Sequence, residues 1–364
     1  MPERPGRHRL IWVRLAVALA FADASIVVLA LPQIVIRLHT SIASSVWVIV
    51  AYNLALIAGS VAIIVLRRRP ASQRTLVAGL ILFGVASLGC GAAGSLGVLV
   101  PLRCLQGLGG AFVLSASLPL FTGATRPGES PLWAWSAAAA LGAAVGPAIG
   151  GVLTQLFDWR AIFFAQAPVA ALAALAALRT EPDSAPAPLG TPEPGTPESS
   201  RSRRLRLDPL TANTALAFLS AGLIGALFLV VVQLINGWLV SPIGAAAVVT
   251  TLPVATAVSQ RAAPGRSSFL LGAAGAVLLA AGLFVLAGLS HREIAPVVGA
   301  LALCGAGLGL GFHGLTSAAL AGPETATVRA ARTIAARDAG LVLGLLVLTP
   351  VFVGELNAAP QRAT

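Results

Sequence analysis

The chain has 364 residues, 57% of them hydrophobic and only 10% charged, with a mean hydropathy of +0.89. A soluble domain carries about a quarter charged residues, so this composition excludes one and implies a polytopic membrane protein. The formal net charge of +11 does not point to a nucleic-acid partner, because the basic residues fall mostly in short segments between apolar runs.

In chain order, the basic start MPERPGRHR runs into an apolar stretch over about 11–31. It reads as a first span and not as a cleaved leader, since no small-x-small site is followed by polar mature sequence. Apolar segments continue over 46–66, 75–95, 98–122, 131–154 and 160–178, each long enough to cross a bilayer as a helix. Residues 179–208, RTEPDSAPAPLGTPEPGTPESSRSRRLRLD, offer nothing to bury and read as a flexible connector. Further spans are predicted at about 213–237, 242–259, 268–289, 295–320 and 333–355. The expected organisation is an N-terminal six-helix bundle over 1–178, a Pro/Arg-rich cytoplasmic linker over 179–212, and a C-terminal bundle of about five helices over 213–364.

Every one of the 24 basic residues is arginine. With the N-terminus placed in the cytoplasm, Arg4, Arg7, Arg9, Arg67 to Arg69, Arg74, Arg126, the linker arginines and Arg261, Arg266, Arg329, Arg332 and Arg337 fall inside. Arg37, Arg160, Arg292 and Arg362 are left outside, as retention of basic loops on the cytoplasmic side predicts. Trp12, Trp47, Trp133, Trp135, Trp159 and Trp238 all lie at span ends, where an indole ring favours the interface.

Asp23 is the one acid near the middle of a predicted span. A charge there costs about 2.5–3.5 kcal/mol or more, so an intramembrane acid faces a cavity or a partner. Arg103 is the one arginine well inside a later span, at similar predicted depth, and Gln106 follows three residues on, on the same helix face. A proton-coupling pair of Asp23 and Arg103 completed by Gln106 is one reading; a purely structural ion pair is the other. Gly142, Gly146 and Gly150 recur every fourth residue around Pro147, with Gly151 following, which builds a helix face for close approach to another helix. Gln233, Asn236 and His313 are weaker candidates for a substrate path. Asp338 beside Arg337 reads as a solvated pair at the start of the last span. GLGLG at 307–311 and QGLGG at 106–110 read as packing runs, without the strand-turn-helix setting of a nucleotide site. No metal-ligand cluster, cofactor motif or nucleophile with a base stands out, so neither an enzyme nor a cofactor is expected.

These residues resemble the major facilitator superfamily, and within it the fourteen-helix drug:proton antiporter branch. DASIVVLALP from Asp23 looks like the first-helix signature, and WVIVAYNLALIAGS from Trp47 is similar to the second helix. RCLQGLGGAF from Arg103 matches the fourth-helix arginine motif, which the family implies is involved in proton coupling. LGAAVGPAIGG from Leu141, followed by DWRAIFFAQAP, looks like the fifth-helix antiporter motif and the start of the sixth helix. In the second half, LFLVVVQLINGWLVSPIGAAAVVTTLP is similar to the ninth and tenth helices and ARDAGLVLGLLV to the thirteenth. Three features depart from the pattern. The loop after the second helix is VLRRRPASQRT, with Arg68 where the family's acid aligns; the connector stands in place of two central helices; and the final helix is missing.

The resemblance implies an all-α polytopic membrane protein with a two-bundle fold of about 11 transmembrane helices. It implies a multi-pass protein of the cell inner (plasma) membrane that takes a small-molecule substrate and protons, with the lipid bilayer as its surroundings and no nucleic acid. The expected activity is proton-coupled efflux of small amphipathic or drug-like molecules by alternating access. A transport-inactive membrane scaffold or accessory subunit is the alternative.

Overall fold

The computed structural model describes residues 6–66, 73–124, 131–178, 207–263, 266–288 and 292–362. Most of the proline- and arginine-rich connector, and the loop at 67–72 that departs from the family pattern, lie outside these residues. Among the described residues the chain is helical throughout, with no strand. The first half comprises α1 (Gly6–Val28), the short α2 (Leu31–Arg37) and α3 (Ile42–Ser45), α4 (Trp47–Val65), α5 (Gln73–Ala92), α6 (Leu96–Ala124), α7 (Pro131–Leu156) and α8 (Arg160–Leu178). The second half comprises α9 (Pro209–Val232), a π-helical turn (Gln233–Gly237), α10 (Pro242–Val249), α11 (Thr251–Gln260), α12 (Ser268–Ala287), α13 (Ile294–Ala319) and α14 (Ala326–Arg362).

Local sequence sets several of these starts. Asp208 caps α9: its Oδ1 accepts from the backbone N–H groups of Leu210 and Thr211 at 3.0 Å each, with Pro209 in the first turn, where a missing N–H does no harm. The helix therefore begins at Pro209, four residues ahead of the predicted boundary at 213. Ser241 caps α10 in the same way, accepting from Gly244, again with a proline following. Pro101, Pro119, Pro147 and Pro168 sit inside helices, a placement that soluble helices avoid and membrane helices tolerate.

Among the described residues, ten helical segments are long and apolar enough to cross a membrane, against about eleven expected. The fifth predicted span is helical over its whole length, with an apolar run at Val145–Leu156 among its described residues. All eleven predicted segments thus fall on helices. The largest boundary shift is at the end of the chain: α14 starts at Ala326, not near 333, and its apolar span runs Ala326–Pro350.

Helices α5 and α6, α4 and α6, and α1 and α7 lie side by side in the first half; α12 and α13, α11 and α13, and α9 and α14 do so in the second. Lipid supplies no hydrophobic drive between helices, so contact quality matters. At α12/α13, a Cβ on Gly275 would come within 2.6 Å of the Gly307 carbonyl oxygen, and a side chain at Gly307 would meet Gly275 in turn. The 307–311 run is therefore a packing face, and Gly107 does the same work against the Tyr52 carbonyl. Contacts between the halves run through α14 against α4 and α6, and through α7 against α10 and α11.

Two of the tryptophans expected at the interface are buried. Trp159 is fully buried, edge-on to Phe163 with ring centroids 6.0 Å apart. Trp135 donates its indole N–H to Ser117 at 2.9 Å and meets Phe21 edge-on at 5.5 Å. In both cases the ring's one polar atom or flat face finds a protein partner instead of a headgroup.

Candidate functional site

Arg103 enters the first-half interior from α6 and finds Asp23 on α1. Its Nη1 lies 2.7 Å from Asp23 Oδ2, and both side chains are 0% exposed. A buried pair of this kind holds only if the remaining donors and acceptors are satisfied, and here most of them are. Arg103 Nε donates to the Val48 carbonyl on α4 at 2.8 Å, and Nη1 donates to Gln106 Oε1 at 2.6 Å. Asp23 Oδ1 accepts from Gln166 Nε2 at 2.9 Å and from Gln106 Nε2 at 3.3 Å.

Gln106 is the junction of the network. Its amide nitrogen also lies within hydrogen-bonding distance of Gln166 Oε1, at 2.7 Å, and of Ser87 Oγ, at 2.8 Å. Two N–H groups thus face three acceptors, so one bond is always exchanged for another. Cys90 Sγ donates weakly to Gln106 Oε1 at 3.7 Å. The Arg103 guanidinium lies 4.5 Å from the centre of the Tyr52 ring and 5.6 Å from that of Phe163, and among the described residues its Nη2 has no hydrogen-bond acceptor. Rings at these distances attract a desolvated cation. Tyr52 is fixed in turn by donating to the Ala20 carbonyl at 3.1 Å.

The three predicted coupling residues are therefore brought together, and the structure adds Gln166, Ser87, Tyr52 and Phe163 to them. Helix α7 lies against α1 with its glycine face. A Cβ at Gly142 would stand 2.0 Å from the Ala18 carbonyl oxygen, and one at Gly150 would stand 2.6 Å from that of Ile26. Gly151 turns to the other half of the molecule: a Cβ there would stand 2.3 Å from Ala246 Cβ and 2.9 Å from the Pro242 oxygen. One turn on, Gln155 Oε1 accepts from the Ile243 N–H at 2.8 Å. Gly146 and Pro147 are buried.

Between the halves lies an apolar cavity of about 100 Å³, bounded by Phe21 and Trp135, by Pro147 of α7, and by residues of α9, α11, α13 and α14. The weaker candidates do not reach it. Gln233 lies in the π-helical turn and borders a separate groove with Trp238 and Val297, and His313 is half-buried on α13 without facing the cavity. The Asn236 side chain lies outside the described residues.

Arg337 and Asp338 correct the sequence reading. They do not form a solvated pair at a helix start; they lie eleven and twelve residues into α14. Asp338 is buried, with Oδ2 lacking a hydrogen-bond partner among the described residues. Arg337 lines the cavity, its guanidinium 4.1 Å from the centre of the Phe21 ring. Among the described residues no group of three His, Cys, Asp or Glu could hold a metal ion.

The sequence model of the Major Facilitator Superfamily matches residues 14–348. The chain is 34% identical over 171 residues to the tetracenomycin C resistance and export protein of Streptomyces glaucescens, a match covering 46% of this chain and 32% of the relative. It is 40% identical over 174 residues to the puromycin resistance protein of Streptomyces alboniger, covering 46% of this chain and 34% of the relative. The match thus spans about a third of each relative's length. Among solved structures, a bacterial homologue of the human lysosomal transporter Spinster superposes with a TM-score of 0.65 at 17% identity, covering 95% of this chain and 81% of that one.

Proposed function

This chain belongs to the major facilitator superfamily, and from that premise we propose that it is a secondary active transporter that expels small amphipathic or drug-like molecules in exchange for protons. The two bundles, 1–178 and 213–364, alternate access to the cavity between them while the connector holds them together on the cytoplasmic side, with the N-terminus also cytoplasmic.

The observation that carries this reading is the Asp23–Arg103 pair, fully buried and held by Gln106 and Gln166. A carboxylate in such a place is functional by default, because a structural role is filled more cheaply by apolar residues. Protonation of Asp23 removes the charge that Arg103 Nη1 faces at 2.7 Å. Gln106, with three acceptors in reach of one amide, is placed to exchange partners at that moment. The glycine face of α7 keeps α1, and with it Asp23, in fixed register. Relatives named for antibiotic resistance and export favour efflux over uptake. A scaffold is the weaker reading, since it leaves the cavity and the buried pair without a use.

The test is proton movement in sealed liposomes under an imposed pH gradient, on addition of amphipathic drugs. Substrate-dependent flux is expected in the wild type and in Asp23→Glu, and loss of it in Asp23→Asn assayed below that variant's own unfolding temperature. Undiminished coupled export by Asp23→Asn would remove Asp23 from the mechanism.

A further inference from the structure

The charges lining the cavity are of one sign. Among the described residues, Arg337 is the one ionisable side chain that faces it; Asp23 and Asp338 do not. Arg337 belongs to none of the ion pairs Asp23–Arg103, Asp158–Arg160 and Glu324–Arg332. Its neighbour Asp338, one residue along the helix, attracts it electrostatically without forming an ion pair with it among the described residues. The guanidinium contact recorded for Arg337 is the face of Phe21, at 4.1 Å. A ring face attracts a cation but satisfies none of its five N–H donors.

A second donor stands beside it. Thr333 lies four residues earlier on α14, on the same face, and also lines the cavity. It is 4% exposed, and its hydroxyl has no hydrogen-bond partner among the described residues. Threonine in a helix divides between two χ1 rotamers, so this hydroxyl is free to turn toward a ligand. The rest of the wall is mostly aromatic and aliphatic, Phe21, Trp135 and Phe312 among it, with Thr256, Gln260 and Thr316 as the other polar side chains.

We propose that Arg337 and Thr333 form an anion-recognising subsite, and that the cavity selects amphipathic molecules with an aromatic body and one carboxylate or comparable anionic group over lipophilic cations. The anion supplies the acceptors that both donors lack, and its apolar part takes the place of water against the aromatic wall. Arg337, with its planar fork, suits a carboxylate better than an ammonium would. The inference rests on the transport reading only in taking this cavity as the ligand site.

Equilibrium dialysis of the full chain in lipid nanodiscs, with empty nanodiscs subtracted, tests it with three ligands of one shape: 1-naphthaleneacetate, 1-naphthaleneacetamide and 1-naphthylmethylammonium. The acetate is expected to bind about tenfold to a hundredfold more tightly than the amide, the range for a hydrogen bond to a charged group, and the ammonium most weakly. Arg337→Gln abolishes that preference, Arg337→Lys keeps part of it, and Thr333→Val lowers acetate affinity about two- to tenfold. Equal affinities for the three ligands in the wild type, no binding of any of them, or an acetate preference that survives in Arg337→Gln would each overturn the proposal. Failure of the transport reading is distinguishable: proton coupling indifferent to Asp23→Asn, with the acetate preference intact, sinks that reading and leaves this one standing.

Discussion

Two buried charge sites occupy the interior of this protein, and they are built in opposite ways. In the first half, Asp23 and Arg103 are locked together through their ion pair and through Gln106, Gln166 and the Val48 carbonyl, leaving Arg103 Nη2 without an acceptor and Asp23 Oδ2 with the ion pair alone among the described residues. On α14, Arg337 touches a ring and a cavity, while Asp338 and Thr333 keep polar atoms with no partner. A satisfied network in a low-dielectric setting is rigid and specifies one arrangement. An unsatisfied one is costly as it stands and gains most from a newcomer. On the reading proposed above, the first site holds and releases a proton, and the second receives a ligand from outside.

Substitution at the acids gives the largest separation between the two sites. Asp23→Asn leaves Arg103 as an uncompensated buried charge and is expected to destabilise the protein by about 3–5 kcal/mol. Asp338→Asn, which removes an acid with an unpartnered oxygen, is expected to leave the unfolding temperature unchanged or raised. Thermal unfolding in nanodiscs measures both, and equal losses would erase the distinction. Neutral polar groups give a smaller contrast of the same form. Gln166→Leu strips a donor from Asp23 Oδ1 and is expected to lower stability by about 1–3 kcal/mol, whereas Thr333→Val is expected to be neutral or stabilising.

The smallest expected effect lies outside both sites and calibrates them. The Thr211 hydroxyl and the Leu210 and Thr211 amides hold the Asp208 carboxyl below the usual carboxylate range. Its contribution to the start of α9 is therefore complete above the unfolded-state value and disappears as pH falls through the lower folded-state value. Hydrogen exchange in the first turn of α9 is expected to rise on acidification in the wild type and to be fast and pH-insensitive, apart from intrinsic exchange, in Asp208→Ala.

The first site was legible in the sequence for the reason that makes it expensive. A lone acid and a lone arginine inside apolar runs have few solutions other than each other, and Gln106 shares a helix face with Arg103. Gln166 and Ser87 carried no such signal. A single amide or hydroxyl in an apolar helix has many uses, and Gln166 reaches Asp23 across 143 residues of chain. The second site was misplaced because hydropathy marks where apolar residues begin, not where a helix does. Arg329 and Arg332 kept the predicted boundary at 333, while the helix itself starts at Ala326 and carries Arg337 and Asp338 about three turns inward. The six tryptophans were assigned by position alone, and Trp159 and Trp135 were instead claimed by neighbouring rings and a serine.

Helix α7 is a joint with two bearing surfaces. Gly142 and Gly150 ride on α1, while Gly151, about 100° further round, rides on α10 in the opposite half, beside the Gln155–Ile243 hydrogen bond. Each surface is finished to a clearance smaller than a methyl group. If the halves rock, the surface at 151 is the one that must part and reseat on every cycle, and a single added carbon there would hold the joint ajar like grit in a hinge, leaving the charge sites on either side chemically intact but mechanically out of step.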